Sequence, residues 1–155
     1  MRRVRISLMV LAGLFFLSIT SQLFSDDVIK ERKKLMRAND KASKALKKAV
    51  AAKDFAAIEK NAKALASQME KLPVLFPKGS TSEKSRAKVA IWKKLDSFKG
   101  KAASLGEVAG MVAEAAAAKD GDKVATLAKV IAGGQRASYC RSCHNSFRGK
   151  KKKKK

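Results

Sequence analysis

The chain has 155 residues, of which 36 are Lys or Arg and 13 are Asp or Glu, giving a formal charge of +23; this length suits one domain. One His and two Cys are too few for a four-ligand zinc site, and no acid/base pair for catalysis stands out. So basic a chain favours acidic proteins, anionic membrane surfaces or nucleic acid as partners.

The N-terminus has the layout of an export signal. Arg2, Arg3 and Arg5 form a positive start, and the apolar run from Ile6 to Ile19 is shorter than the roughly 20 residues of a membrane span. Residues 1–25 are therefore expected to be a signal peptide cut near Ser25, with an uncleaved anchor as the alternative. Its removal takes away three arginines and leaves +20.

Beyond it Ala, Lys, Leu and Glu dominate, and the only prolines are Pro73 and Pro77, so residues 26–149 read as helical. The first helix is predicted from Asp26 to Ala52. Asp26 or Asp27 would cap it, and Val28, Ile29, Leu35, Met36, Leu46 and Val50 would face inward. The second runs from an Asp54 cap to Leu72 and buries Phe55, Ile58, Ala62, Leu65 and Met69. Pro73 and Pro77 break the helix and open an irregular connection to Ser82. A shorter helical pattern covers Ser82 to Phe98, with Val89, Ile91, Trp92, Leu95 and Phe98 inward. Gly100 separates it from a third long helix, Lys101 to Lys119, which buries Leu105, Val108, Val112 and Ala116. Asp120-Gly121-Asp122 turns the chain, and Asp122 caps a last helix running to Arg148 over Val124, Leu127, Ala128 and Ile131. Residues 150–155 are all lysine, a solvated tail or a docking element. Four long amphipathic helices with short connections predict an all-α, antiparallel four-helix bundle. Its alanine-rich faces give a small core, which a bound apolar cofactor would enlarge.

The only two cysteines and the only histidine fall together as Cys140-Arg141-Ser142-Cys143-His144. C-x-x-C-H is the attachment signature for c-type haem. On a helix, positions i, i+3 and i+4 share a face, so two thiols can reach the vinyl groups of one porphyrin edge while the imidazole turns to the iron. A disulfide is the competing reading for an exported chain. A thioredoxin-type dithiol lacks its βαβ setting. The expected cofactor is one covalently bound haem c with its iron, held by Cys140 and Cys143 and ligated by His144.

The run from Cys140 to Phe147-Arg148, at the C-terminal end of the chain, resembles the haem motif of the cytochrome c prime family. Leu72-Pro73-Val74-Leu75-Phe76-Pro77, Ile91-Trp92 followed by Phe98, and the Gly121-Asp122 turn are also similar to that family, so the resemblance spans residues 26–150. It implies a four-helix bundle with haem at one end. The family has two styles of iron site: one leaves the sixth position open and binds gases such as nitric oxide, and the other fills it with methionine. Leu35-Met36-Arg37-Ala38-Asn39 is similar to the methionine-ligated, low-spin branch, which implies Met36 as the second axial ligand. The resemblance also implies Arg32 beside a haem propionate. Arg148, one turn past His144, is a further propionate candidate. Trp92, Phe76 and Phe147 read as packing residues.

The function expected is single-electron transfer in the bacterial periplasm by a His/Met haem. The alternative is a five-coordinate haem protein that binds nitric oxide or other small gases. Neither is an enzyme. An acidic redox partner is expected from the charge, and a homodimer through the first two helices from the resemblance. Nucleic acid is not expected, because one Trp and one Tyr provide no stacking platform. Membrane association is expected only if the N-terminal segment stays uncut.

Overall fold

The structure of the protein, a computed structural model, describes residues 2–132 and 138–150, with side chains for 26–131 and 138–150. It is built from α1 (Arg2–Ala52), α2 (Phe55–Lys71), a 3-10 turn (Pro73–Leu75), α3 (Ala90–Lys93), α4 (Leu95–Ala117), α5 (Gly121–Ala132) and α6 (Tyr139–Phe147). No strand occurs among the described residues. Helices α1, α2, α4 and α5 close a ring in that order, each packing on the next and α5 returning to α1. That is the predicted all-α four-helix bundle, with α6 laid across α4, α5 and α3.

Small residues let these helices approach closely. Ala42, Ala49, Ala62, Ala102, Ala109, Ala113, Ala115 and Ala116 are buried, and Leu46, Ile58, Ile91, Ile131 and Val112 fill the space between them. The helical spacing of apolar residues located most of this core. Val89 is an exception: it is exposed.

Two of the turns share the sequence Ala-Ala-Lys-Asp. At residues 51–54 and 117–120 the lysine adopts a left-handed φ, 55° at Lys53 and 57° at Lys119. In each, the amides of the Lys and Asp close back on the helix: Lys53 and Asp54 on Val50 and Ala49, Lys119 and Asp120 on Ala116 and Ala115. This is the Schellman closure. The aspartate then caps the next helix, Asp54 Oδ1 accepting from Ala57 N and Asp120 Oδ1 from Lys123 N, both at 3.0 Å. The expected cap at Asp122 is therefore displaced by two residues, and Asp122 lies in the first turn of α5.

Four further expectations are corrected. The first helix begins at Arg2, so Asp26 and Asp27 lie inside it rather than cap it, and the Asp26 carboxylate pairs with Lys84 at 2.8 Å. Of the helix expected over 82–98, only Ala90–Lys93 is separate and helical. Ser82 and Ser85 turn their hydroxyls onto the amides of Lys84 and Ala87, which competes with helix formation. The break before α4 falls at Lys94 (φ −132°, ψ 49°), and Gly100 lies inside that helix. The last helix divides in two. α5 ends at Ala132 and α6 starts after Ser138, whose hydroxyl caps it; the Gly133–Ala137 part of the expected helix lies outside the described residues. So do 151–155 of the lysine tail and the side chains of the proposed signal segment.

Candidate haem-binding site

The site is assembled on α6, whose position is fixed from both ends. Ser138 Oγ accepts from Arg141 N at its start. At its end, an antiparallel bridge joins Ala87 to Arg148: Lys88 N donates to Phe147 O at 2.9 Å and Gly149 N to Arg86 O at 2.7 Å. The Arg86 and Lys88 side chains add bonds to Gly149 O and Asn145 O. Phe147 is buried and meets Phe98 edge-on, 5.4 Å between centroids, and Phe98 meets Phe76 at 4.7 Å. This aromatic row seats the helix on the bundle, and Trp92 buttresses it by donating from Nε1 to Phe76 O and Pro77 O.

On α6, Cys140 and Cys143 are free, half-buried and packed against the core. Burial pushes both thiols up; at Cys143 the nearby Lys101 charge opposes that. Lys101 Nζ also donates to Ser142 Oγ at 2.6 Å, tying α4 to the segment between the thiols. His144 is the more open of the three. Loss of water around its ring, then the charges of Arg148 and Arg86, push the imidazole below its ordinary value, toward the neutral form that binds metals.

Met36 lies on α1, half-buried beside Leu35 on the inward side. Among the described residues α1 and α6 have no backbone contact, although each packs on α5. The structure thus places the two thiols together on α6 and Met36 on a separate wall.

Arg32 turns out to serve the connection after α2. It is 5 % exposed, and its Nε donates to Leu75 O, Nη1 to Ser80 O and Ser85 Oγ, and Nη2 to Ser80 O and Ser80 Oγ. A guanidinium has five N–H donors, so all are engaged, and the group also lies 3.9 Å over the Phe76 ring. A propionate contact would require giving up one of these bonds. Arg148 is exposed and its side chain makes no such set.

The donor chemistry fits a covalently held haem. Two unoxidised thiols face the core one helical turn apart, and a histidine follows. Polar side-chain atoms are also left over inside the bundle: Nδ2 and Oδ1 of Asn39 and Oε1 of Gln68 are buried and have no hydrogen-bond partner. Among the described residues no group of three or more His, Cys, Asp or Glu gathers as a bare metal site would require. Two surface hollows, one lined by Pro73, Trp92 and Lys99 and one between α2 and α4, do not involve Cys140, Cys143 or His144.

Sequence spacing gave no hint of Lys101 or of the 86–88 bracket, which come from parts of the chain some forty or more residues away. Asn39 was visible in principle, as an amide on the inward helical stripe that also carries Leu35 and Met36.

Comparison with known proteins gives the family and agrees with the helical-bundle fold. The family described as Cytochrome C' matches residues 27–148. A cytochrome c' of Rhodospirillum rubrum is 34% identical over 149 residues, covering 91% of this chain and 97% of that protein. One of Rhodopseudomonas palustris is 32% identical, covering 96% and 99%. Among solved structures, cytochrome c prime from Shewanella frigidimarina superposes with a TM-score of 0.71 at 19% identity, covering 81% of this chain and 97% of that one. The nitric oxide complex of a cytochrome c prime variant from Alcaligenes xylosoxidans superposes at 0.70 and 24% identity, covering 82% and 97%. The chain belongs to the cytochrome c' family, whose cofactor is one covalently attached c-type haem with its iron.

Proposed function

We propose that Cys140 and Cys143 hold the haem, that His144 is its axial ligand, and that the sixth position of the iron is open and takes small gases such as nitric oxide. The observation that carries this reading is the pair of free, core-facing thiols on α6 followed by the chain's only histidine. The separation of α6 from α1 supports a ring standing between them. The superposable Alcaligenes protein that forms a nitric oxide complex supports gas binding over a filled site. When bound, the haem supplies an iron that cycles between ferric and ferrous states. The protein's own part is to anchor the ring by thioethers, orient the imidazole through the braced end of α6, and keep the far side largely apolar with residues of α1.

A second reading has Met36 filling the sixth position, as in a low-spin electron carrier, and its half-buried place beside Leu35 on the inward side of α1 favours it. Optical spectra of the oxidised and reduced protein decide between the two. The open site predicts a high-spin spectrum, little changed in Met36→Ala, and rapid carbon monoxide uptake. A low-spin spectrum converted to high spin by Met36→Ala, with a fall in potential, would establish the methionine reading.

Residues 1–25 act as an export signal and the haem protein works in the periplasm. Among the described residues no helix is long and apolar enough to cross a membrane. An acidic protein is the fitting redox partner, and a homodimer through α1 and α2 is the expected assembly.

A further inference from the structure

We propose that Asn39 is the polar residue on the far side of the haem, its carboxamide donating a hydrogen bond to a diatomic ligand held at the sixth position of the iron. This rests on the open-site reading above.

The inward stripe of α1 runs Ile29, Arg32, Leu35, Met36, Asn39, Ala42, Ser43, Leu46, Ala49, with each member buried or half-buried. Asn39 sits in the middle of it. Its other polar members are Arg32, whose five donors are engaged by the connection after α2, and the half-buried Ser43, one turn beyond Asn39. Asn39 is the amide of the stripe that lies one turn from Met36. Its Nδ2 and Oδ1 are buried without a partner, a state that native proteins rarely leave uncompensated.

The hairpin geometry adds a second orphan at the same level. α1 and α2 turn back on each other at Lys53 and Asp54, so residues equally far from that turn lie at about the same level along the two helices. Arg32 and Leu75 are such a pair, and they are hydrogen-bonded at 2.9 Å. Asn39 and Gln68 are another, and Gln68 Oε1 is likewise buried and unpartnered. Unpartnered polar capacity is thus concentrated at one level of the α1–α2 wall, one turn from Met36. Haem ligated by His144 from the α6 side would turn its other face toward α1, with which α6 has no backbone contact among the described residues. A carboxamide N–H there can donate to the outer atom of a bound diatomic. Donors on the far side of a haem are a principal control of how it holds small gases. Asn39 and Gln68 are not bonded to each other in the structure; with a ligand on one Nδ2 hydrogen, a side-chain rotation would let Gln68 Oε1 accept from the other and fix the orientation of the amide.

The test uses the full haem protein, reduced, with carbon monoxide as the probe, in wild type, Asn39→Leu, Asn39→Ala and Gln68→Leu. Circular dichroism and the haem spectrum establish that each variant is folded and loaded. The wild type should show a C–O stretch that moves to higher frequency in both Asn39 variants, with carbon monoxide leaving about five- to tenfold faster, the loss of roughly one hydrogen bond. Gln68→Leu should give a smaller change in the same direction. Asn39→Leu, which replaces an orphaned amide by an apolar group of similar size, should unfold at no lower urea concentration than wild type. If the amide instead held a structural water, Asn39→Leu would be destabilised and the C–O stretch indifferent, which overturns the proposal. A wild type that takes up no carbon monoxide overturns the open-site reading and this proposal with it. A wild type that binds carbon monoxide with a stretch insensitive to Asn39 overturns this proposal alone.

Discussion

A buried guanidinium without a carboxylate partner is an expensive group to fold around, and Arg32 shows what makes it tolerable. Burial pushes its pKa down to about 10, so it remains charged at neutral pH. Two backbone carbonyls, two hydroxyls and the face of Phe76 replace the lost water. Lysine cannot reproduce this, because a compact ammonium lacks the planar fork. Arg32→Lys should therefore lower the unfolding free energy of the haem protein by about 3 kcal/mol, as buried acceptors lose their donors, measured by urea unfolding. A loss within experimental error would mean that the connection is held by its own turns alone. The two thiols obey the same physics with the opposite sign. Burial raises them, so the folded chain holds their protons more tightly than the unfolded chain does. That preference stabilises fully below the ordinary thiol value and is lost as pH rises through the raised one. In haem-free protein near neutral pH, iodoacetamide should label Cys140 and Cys143 severalfold more slowly than in urea, with the rate climbing as the pH is raised. Equal rates in the two states would place the thiols in water.

Among the elements, the twin Ala-Ala-Lys-Asp turns place a lysine where glycine is the easier residue. A left-handed φ strains any side chain with a Cβ, while glycine adopts it freely. Lys53→Gly and Lys119→Gly should each stabilise the bundle by roughly 0.5–1 kcal/mol, the relief of strain being partly offset by the entropy of a freer unfolded chain. Thermal unfolding of the single and double variants checks this, and a destabilised double variant would argue that the lysine stems pack usefully. The helices themselves were legible because periodic burial is a local property: Ile58, Ala62, Leu65 and Met69 lie inward as their spacing demands. The α6 motif was legible for the same reason, being three residues within five. What was not legible depends on distant partners. The 86–88 stretch resists being helix because its backbone is needed against Phe147 and Gly149. The break before α4 lies at Lys94, where no glycine or proline marks it. The role of Arg32 could not be read from α1, since its acceptors lie 43 to 53 residues further on.

At the scale of the whole molecule, charge dominates. Even if every acidic residue were paired, the chain would keep its formal +23. Ion pairs such as Lys30–Asp27, Lys34–Glu31, Lys44–Asp40, Lys63–Glu59 and Lys84–Asp26 lie at the surface and are worth little individually. The folded state therefore concentrates like charge that the unfolded chain can spread out, and self-repulsion opposes compaction. The same field draws an acidic protein toward the surface and speeds encounter. Added salt shortens the reach of both effects, to about 10 Å at 0.1 M, but with opposite consequences. Raising sodium chloride from about 10 to about 150 mM should raise the melting temperature of the haem protein. It should also slow its reduction by an acidic redox protein by about tenfold or more. Differential scanning calorimetry and stopped-flow kinetics on one preparation measure the two. Removing residues 151–155 takes five positive charges from the chain and should shrink both salt responses. If truncation diminished the kinetic response and left the thermal one unchanged, the tail would be acting as a docking element distinct from the bundle's own field. A melting temperature that fell with salt would mean that local ion pairs outweigh the net charge, against the composition of the chain.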